Sequence, residues 1–152
     1  MNPSGRSAKA RVSLRPLTED DIAAVEPLYR EAVRSAEADP DAGMLAIVRE
    51  ADGAAVGVLD YRANSPARGW LSVGFIALAE RERGWGHGSE AVRVLEAGAK
   101  AARFRANVDA GNGLALYFWL RLGYRPARPD EVPGRPPRGI ITMIRTAGGP
   151  TG

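Results

Sequence analysis

Apolar and polar positions alternate along the chain in short segments, punctuated by glycine, proline and aspartate. Val12–Leu14, before Pro16, predicts a short strand. Thr18 stands where a helix N-cap belongs, and Glu19, Asp20 and Asp21 fill the first turn, where negative charge suits the helix dipole. Ile22, Val25, Leu28, Tyr29, Ala32 and Val33 then recur at helical spacing. Pro27 falls inside that pattern and predicts a kink or two short helices. The stretch 35–43 ends the region. Segments 44–50 and 54–61 predict two strands joined by a hairpin turn at Ala51-Asp52-Gly53. Residues 62–69 read as a loop. The run WLSVGFIALA (70–79) is apolar on both faces, which predicts a central, covered strand.

From Ser89 to Ala102 the pattern is helical, with Ala91, Leu95, Gly98, Ala99 and Ala102 on one face and Arg93, Glu96 and Lys100 on the other. FRANV (104–108) predicts a strand and 112–122 a helix, with Gly123 at its C-cap position. A Pro-rich loop (127–139) and a last strand (140–146) follow. Residues 1–10 and 147–152 read as loose tails around one domain over 11–146, a length that fits a single domain. The element order implies a mixed α/β fold with an antiparallel start.

Composition narrows the chemistry. Apolar residues make up 45% of 152, enough for one substantial core. The chain has 21 Lys+Arg against 18 Asp+Glu, a net charge of +3. The basic residues are scattered, so the charge suits an anionic small ligand better than a nucleic acid. There is no cysteine, which removes thiol nucleophiles and thiolate metal sites, and one histidine makes a His-based metal site a poor expectation. No apolar run approaches a membrane span and no leader pattern opens the chain, so a cytoplasmic protein is expected. Arg outnumbers Lys 19 to 2, a bias associated with GC-rich bacterial genes.

The densest chemical signal is ERERGWGHGSE (80–90), where Gly84, Gly86 and Gly88 alternate between an apolar strand and a helix, just after Arg83. Glycine takes positive φ and lets a ligand touch the backbone. A helix N-terminus adds about half a positive charge and free N–H donors. Together with Arg83 these make a cradle for phosphate oxygens. The P-loop pattern is missed, because the loop ends Gly-His-Gly-Ser, and a dinucleotide fingerprint is missed, because Ser89 stands at the third glycine position.

What remains, Arg83-x-x-Gly86-x-Gly88, resembles the pyrophosphate loop of the GNAT superfamily of acetyl-CoA-dependent N-acetyltransferases. A second stretch, NVDAGNGLALYFWLRLGYRP, resembles that family's C-terminal part through Asn112, Ala115, Trp119, Gly123 and Tyr124. The resemblance runs over about residues 11–146 and is clearest over 70–126.

The resemblance implies a mostly antiparallel mixed sheet of six or seven strands, splayed between the fourth and fifth, with about four helices. It implies acetyl-CoA as co-substrate and no metal. The backbone of Ile76, Ala77 and Leu78 would pair with the pantetheine arm, and Arg83, Gly84, Trp85, Gly86, His87, Gly88 and Ser89 would hold the pyrophosphate. His87 would serve through its backbone, with its side chain toward solvent or the coenzyme's phosphate. Asn112 would bond the pantetheine, cap its helix, or do both. The family's usual acidic tyrosine is Trp119 here, a wall beside the thioester or a core residue. Tyr117 lies about 140° around the helix from Asn112, too far to replace it.

The base is open among Asp60, Glu80, Asp109 and a chain of waters. The resemblance implies a primary amine of a small molecule or protein as acceptor, met by the N-terminal helices and loops 62–69 and 127–139; a homodimer is a further expectation of the resemblance. The competing readings are a non-catalytic acyl-CoA-binding module and, more remotely, a nucleic-acid-binding domain. No membrane partner is expected.

Overall fold

The computed structural model describes residues 11–36, 43–84 and 86–148. Trp85, the N-terminal tail, most of segment 35–43 and the last four residues lie outside the described residues. The elements are β1 (Val12–Pro16), α1 (Glu19–Ala24), α2 (Glu26–Ala36), β2 (Gly43–Arg49), β3 (Ala55–Ala63), β4 (Trp70–Leu78), α3 (His87–Gly98), β5 (Arg103–Asp109), α4 (Gly113–Arg121), β6 (Arg125–Pro126) and β7 (Ile140–Thr146). A single 3-10 turn (Glu80–Glu82) separates β4 from the glycine loop.

The seven strands form one sheet in the order β1-β2-β3-β4-β5-β7-β6. β1 and β2 are antiparallel, from Val12↔Arg49 to Pro16↔Leu45. β7 lies antiparallel to β5 and to β6. β4 and β5 are parallel, over the four pairs from Trp70↔Arg103 to Val73↔Ala106. The fold is therefore mixed α/β, mostly antiparallel with one parallel pair, as the sequence implied.

The chain divides into two compact units. One holds the described residues up to Asp60 with Phe75–Gly98; the other holds Tyr61–Gly74 with the described residues from Ala99 on. In the first unit Thr18 closes a capping box: its hydroxyl accepts from the Asp21 N–H and the Asp21 carboxylate accepts from the Thr18 N–H at 2.9 Å. α1 ends at Ala24 and α2 restarts at Glu26, so Pro27 sits in the first turn of the second helix, where its missing N–H costs nothing. Val25, Ala32 and Val58 bury here against Leu28, Tyr29, Met44 and Phe75.

α3 packs against β1. The helix is shorter than its sequence pattern suggested, and its inward face differs. It starts at His87 and stops at Gly98, and its buried residues are His87, Gly88, Ala91, Val92 and Leu95. Gly98 and Ala102, placed on the apolar face from periodicity, are exposed. Small residues carry too little apolar area to decide which side of a helix turns inward.

In the second unit Phe104, Ala106 and Val108 of β5 share a core with Leu71 and Val73 of β4, Met143 of β7 and Trp119 and Leu122 near the end of α4. The rings of Trp119 and Tyr124 meet edge to face at 4.7 Å. β4 is covered over its first four residues only; from Gly74 on it is exposed or half-buried. The fully covered strand expected from its apolar run is thus covered over one half. No helix among the described residues is long and apolar enough to cross a membrane.

Candidate functional site

The first unit holds the glycine loop. Gly84 and Gly86 both take left-handed backbone, with φ of 86° and 83°. A side chain at either position would be strained, which is the physical reason for glycine here. Around Gly84 a Cβ would meet nothing within 4 Å, whereas at Gly86 it would lie 2.7 Å from an Nη of Arg11. The loop feeds straight into α3, whose first helical bond runs from the Glu90 N–H to the Gly86 carbonyl at 3.1 Å. The N–H groups of the first turn have no intrahelical acceptor and bring the positive end of the helix dipole to the loop.

Two arginines stand at this place. Arg83 is exposed and its Nε donates to the carbonyl of Leu78, the last residue of β4, at 3.1 Å. Arg11 reaches across from the start of β1; its Nε donates to Glu90 Oε1 at 3.1 Å, and its backbone N–H also bonds that carboxylate. The Val12 N–H adds a third bond to Glu90 at 3.3 Å. Glu90 thus ties the first strand to the first turn of α3, and its charge lies where a helix favours an anion.

The loop is braced from below. Glu82, nearly buried, accepts from Arg49 Nη1 at 2.7 Å, while Arg49 also holds Asp52 of the hairpin turn at 2.8 Å. The Asp52 bond, then the Glu82 bond, raise the Arg49 pKa, so it stays cationic at any working pH. The other Glu82 oxygen lies 3.8 Å from His87 Nδ1. His87 is 7% exposed and its Nδ1 has no hydrogen-bond partner among the described residues. Of the two orientations expected for its side chain, toward solvent or toward the coenzyme's phosphate, this burial excludes the first. As the first helical residue of α3 it turns inward, its ring toward Glu82 of the preceding 3-10 turn.

The backbone of Ile76, Ala77 and Leu78 lies on the half-buried end of β4. Gly57 of β3 sits against it so closely that a Cβ there would be 3.2 Å from Leu78 Cα and nearer still to the Ala77 carbonyl oxygen. The Ala79 N–H closes the strand end onto Val56 O at 2.9 Å. Glu80 is exposed just beyond, at a hollow lined with Ala79 and Arg81. Asp60, the other candidate base, has no exposed surface at all. A further hollow on α1 and α2 is lined by Ile22, Tyr29 and Val33 with Glu19, Glu26 and Arg30.

Asn112 and Trp119 belong to the second unit. Asn112 caps α4, its side-chain oxygen accepting from the Ala115 N–H at 3.0 Å. It lines an open hollow with Asp109, Gly111, Gly113 and Leu114. Asp109 Oδ1 is already engaged by the Gly111 N–H at 2.8 Å. Trp119 is 5% exposed, in the packing with Tyr124, while Tyr117 is 59% exposed beside Arg121.

The structure thus gathers Ile76–Leu78, Arg83, Gly84 and Gly86–Ser89 around one loop, with Trp85 outside the described residues. It adds Arg11, Glu82 and Glu90, which no sequence pattern marked. Arg11 and Glu90 are 79 residues apart, and a charge pair at that separation leaves no periodic signal.

Known proteins share this fold. A family model described as the acetyltransferase (GNAT) family matches residues 12–124. A search of the curated proteins by sequence finds none that matches this chain. Among solved structures, an acetyltransferase from Thermus thermophilus superposes with a TM-score of 0.69 at 18% identity, over 90% of this chain and 97% of its own. An acetyl transferase from Salmonella typhimurium that modifies the N-terminal serine of ribosomal protein L7/L12 gives 0.68 at 16% identity, over 91% and 96%. A GNAT family acetyltransferase from Elizabethkingia anophelis with acetyl-CoA bound gives 0.61 at 14% identity, over 91% and 99%. At these identities the likeness is one of fold, but the family model spans most of the sequence, and the chain belongs to the GNAT acetyltransferase family.

Proposed function

We propose that this protein transfers an acetyl group from acetyl-CoA to a primary amine by direct attack in a ternary complex. The observation that carries the reading is the glycine loop: Gly84 and Gly86 in left-handed backbone, opening helix α3 beside Arg83 and Arg11. It offers N–H groups, a helix dipole and the exposed Arg83 guanidinium to one diphosphate, with the Glu90-paired Arg11 beside it. A family neighbour with acetyl-CoA bound supports the same coenzyme.

In this reading Arg83, Gly84, Trp85, Gly86, His87, Gly88 and Ser89 hold the pyrophosphate, the last three through the start of α3. Ile76, Ala77 and Leu78 offer backbone groups to the pantetheine arm, although the Leu78 carbonyl already accepts from Arg83. Asn112 adds a side-chain amide, and Trp119 shapes the wall from within the core. The coenzyme supplies an activated acetyl group as a thioester. The acceptor must arrive as a neutral amine, so its ammonium proton passes to a base before nitrogen bonds to the carbonyl carbon. The carbon–sulfur bond then breaks, and the thiolate takes its proton from water or from the acceptor. Of the two proposed carboxylates Glu80 is open to an acceptor, while Asp60, having no exposed surface, acts only through neighbouring groups.

We place the enzyme in the cytoplasm, as one domain over 11–146, working with an amine acceptor and without nucleic acid. A second reading, coenzyme binding without turnover, is favoured by Trp119, because an indole N–H is a poor acid and Tyr117 is exposed on the helix surface.

Calorimetric titration of acetyl-CoA and CoA into the wild type and Gly86→Trp tests the reading. Micromolar binding that the variant loses, with its circular dichroism unchanged, supports the cradle, and turnover across an amine library then separates enzyme from binding module. A folded wild type that binds neither ligand refutes both.

A further inference from the structure

We propose that Arg105, together with Arg62, Ser72 and Asn107, forms an oxyanion-binding site on one face of the second unit, taking a carboxylate or a phosphate group. Partners across a ladder share a face, and residues two apart along a strand return to it. Ser72 pairs with Arg105 and Asn107 with Thr142, so Ser72, Arg105, Asn107 and Thr142 share one face. Phe104, Ala106 and Val108 take the opposite, buried face.

Arg105 is held as a recognition group is held. Its Nε donates to Ser72 Oγ at 2.8 Å, and the Ser72 hydroxyl spends its own proton on the Ser65 carbonyl at 2.6 Å. Ser72 is 3% exposed, so this chain is fixed from below. No hydrogen bond or ion pair joins the two Nη groups of Arg105 to a described residue. They are the end of the guanidinium fork that matches a carboxylate or phosphate in pairs.

Two residues along the strand, about 7 Å away, Asn107 accepts from the Thr142 hydroxyl at 2.8 Å and keeps its amide N–H groups to donate. Arg62 lies near enough for its charge to act on Arg105. Burial first, and the Arg62 charge second, lower the Arg105 pKa, and no carboxylate opposes them. Burial disfavours the Arg105 charge, and an anion against its Nη fork offsets that cost.

The chemistry has two natural sources: an acid group on the amine acceptor, or a phosphate of the coenzyme. The site does not rest on acetyl transfer, and its test does not either. Inorganic phosphate and succinate are titrated into the full chain at constant ionic strength, following the Asn107 side-chain amide signals by NMR, in the wild type, Arg105→Gln and Arg62→Gln. We expect saturable shifts in the wild type and affinity at least about tenfold weaker in Arg105→Gln, the loss of a bidentate charged pair. Arg62→Gln, which leaves the Ser72 contact in place, is expected to weaken binding as well.

CoA titrations identify the source. A parallel fall in CoA affinity in Arg105→Gln assigns the site to a coenzyme phosphate, while unchanged CoA affinity with lost phosphate and succinate binding assigns it to an acidic acceptor; either supports the site. Shifts no larger than those from chloride, or equal affinity in Arg105→Gln, overturn it. If Arg105→Gln does not fold, equal affinity in Arg62→Gln overturns it instead.

Discussion

Replacing Gly57 by alanine probes how tightly β3 is set against the end of β4 that is proposed to carry the pantetheine. The added Cβ would stand 2.8 Å from Leu78 Cδ2 and 3.2 Å from Leu78 Cα, and closer than either to the Ala77 carbonyl oxygen. Ordinary contact is about 3.5 Å, so the strand must move, and two of the three obstacles are backbone. Overpacking of this kind costs about 2–3 kcal/mol. Alanine recovers about 0.5–1 kcal/mol by restricting the unfolded chain. The net loss is about 2 kcal/mol, which for a chain of this size lowers Tm by about 4–8 °C.

The assay is a pair of thermal melts followed by circular dichroism, with calorimetry of acetyl-CoA on the same samples. We expect the lower Tm together with weaker coenzyme binding, because the shifted residues are Ala77 and Leu78. Adding Leu78→Ala removes the side-chain obstacle but not the carbonyl, so the double variant should not recover. A Gly57→Ala variant melting within a degree of the wild type would refute the close approach, and full rescue by Leu78→Ala would refute the role given to the Ala77 carbonyl.

Three further outcomes are expected. The Arg15 guanidinium, and then the Thr18 groups, hold the buried Asp21 carboxyl at about 2 instead of its ordinary 3.8. Its folded-state pKa is depressed, so its stabilisation is full above about pH 4 and is lost as pH falls toward 2; Asp21→Asn should lower Tm at pH 7, with the gap closing in acid, and a gap independent of pH would contradict the pairing. Glu90→Gln, which weakens the grip on the Arg11 and Val12 N–H groups and on the Arg11 guanidinium, should cost about 1–2 kcal/mol in urea denaturation, and an unchanged midpoint would show that β1 is anchored otherwise. Asn112→Ala should cost about 1 kcal/mol as a lost cap while Asn112→Asp should not; acetyl-CoA affinity unchanged in both would leave Asn112 a cap and nothing more.

Much of this protein is written locally in its sequence. Thr18 with Asp21, the Asp52-Gly53 turn, the break at Pro27 and the Asn112 cap each depend on a few adjacent residues and on the chain's own hydrogen-bonding needs, so they read directly from the string. The glycine loop reads for the same reason: positive φ at Gly84 and Gly86 is a backbone demand that only glycine meets easily. Family membership followed from such motifs and their spacing.

Tertiary structure decided what depends on distant residues meeting. Periodicity could not show that α3 stops at Gly98, because Ala99 and Ala102 extend the apolar pattern with side chains too small to bury much area. The apolar run of β4 could not show that its cover ends after Val73, since cover is a property of the neighbours and not of the strand. The meeting of Arg11 with Glu90, the brace of Glu82 by Arg49 and the pinning of Arg105 by Ser72 all join residues far apart in the chain. Each is a pairing of charge or hydrogen-bond donors across elements, and such pairings exist only once the sheet has set its strand order.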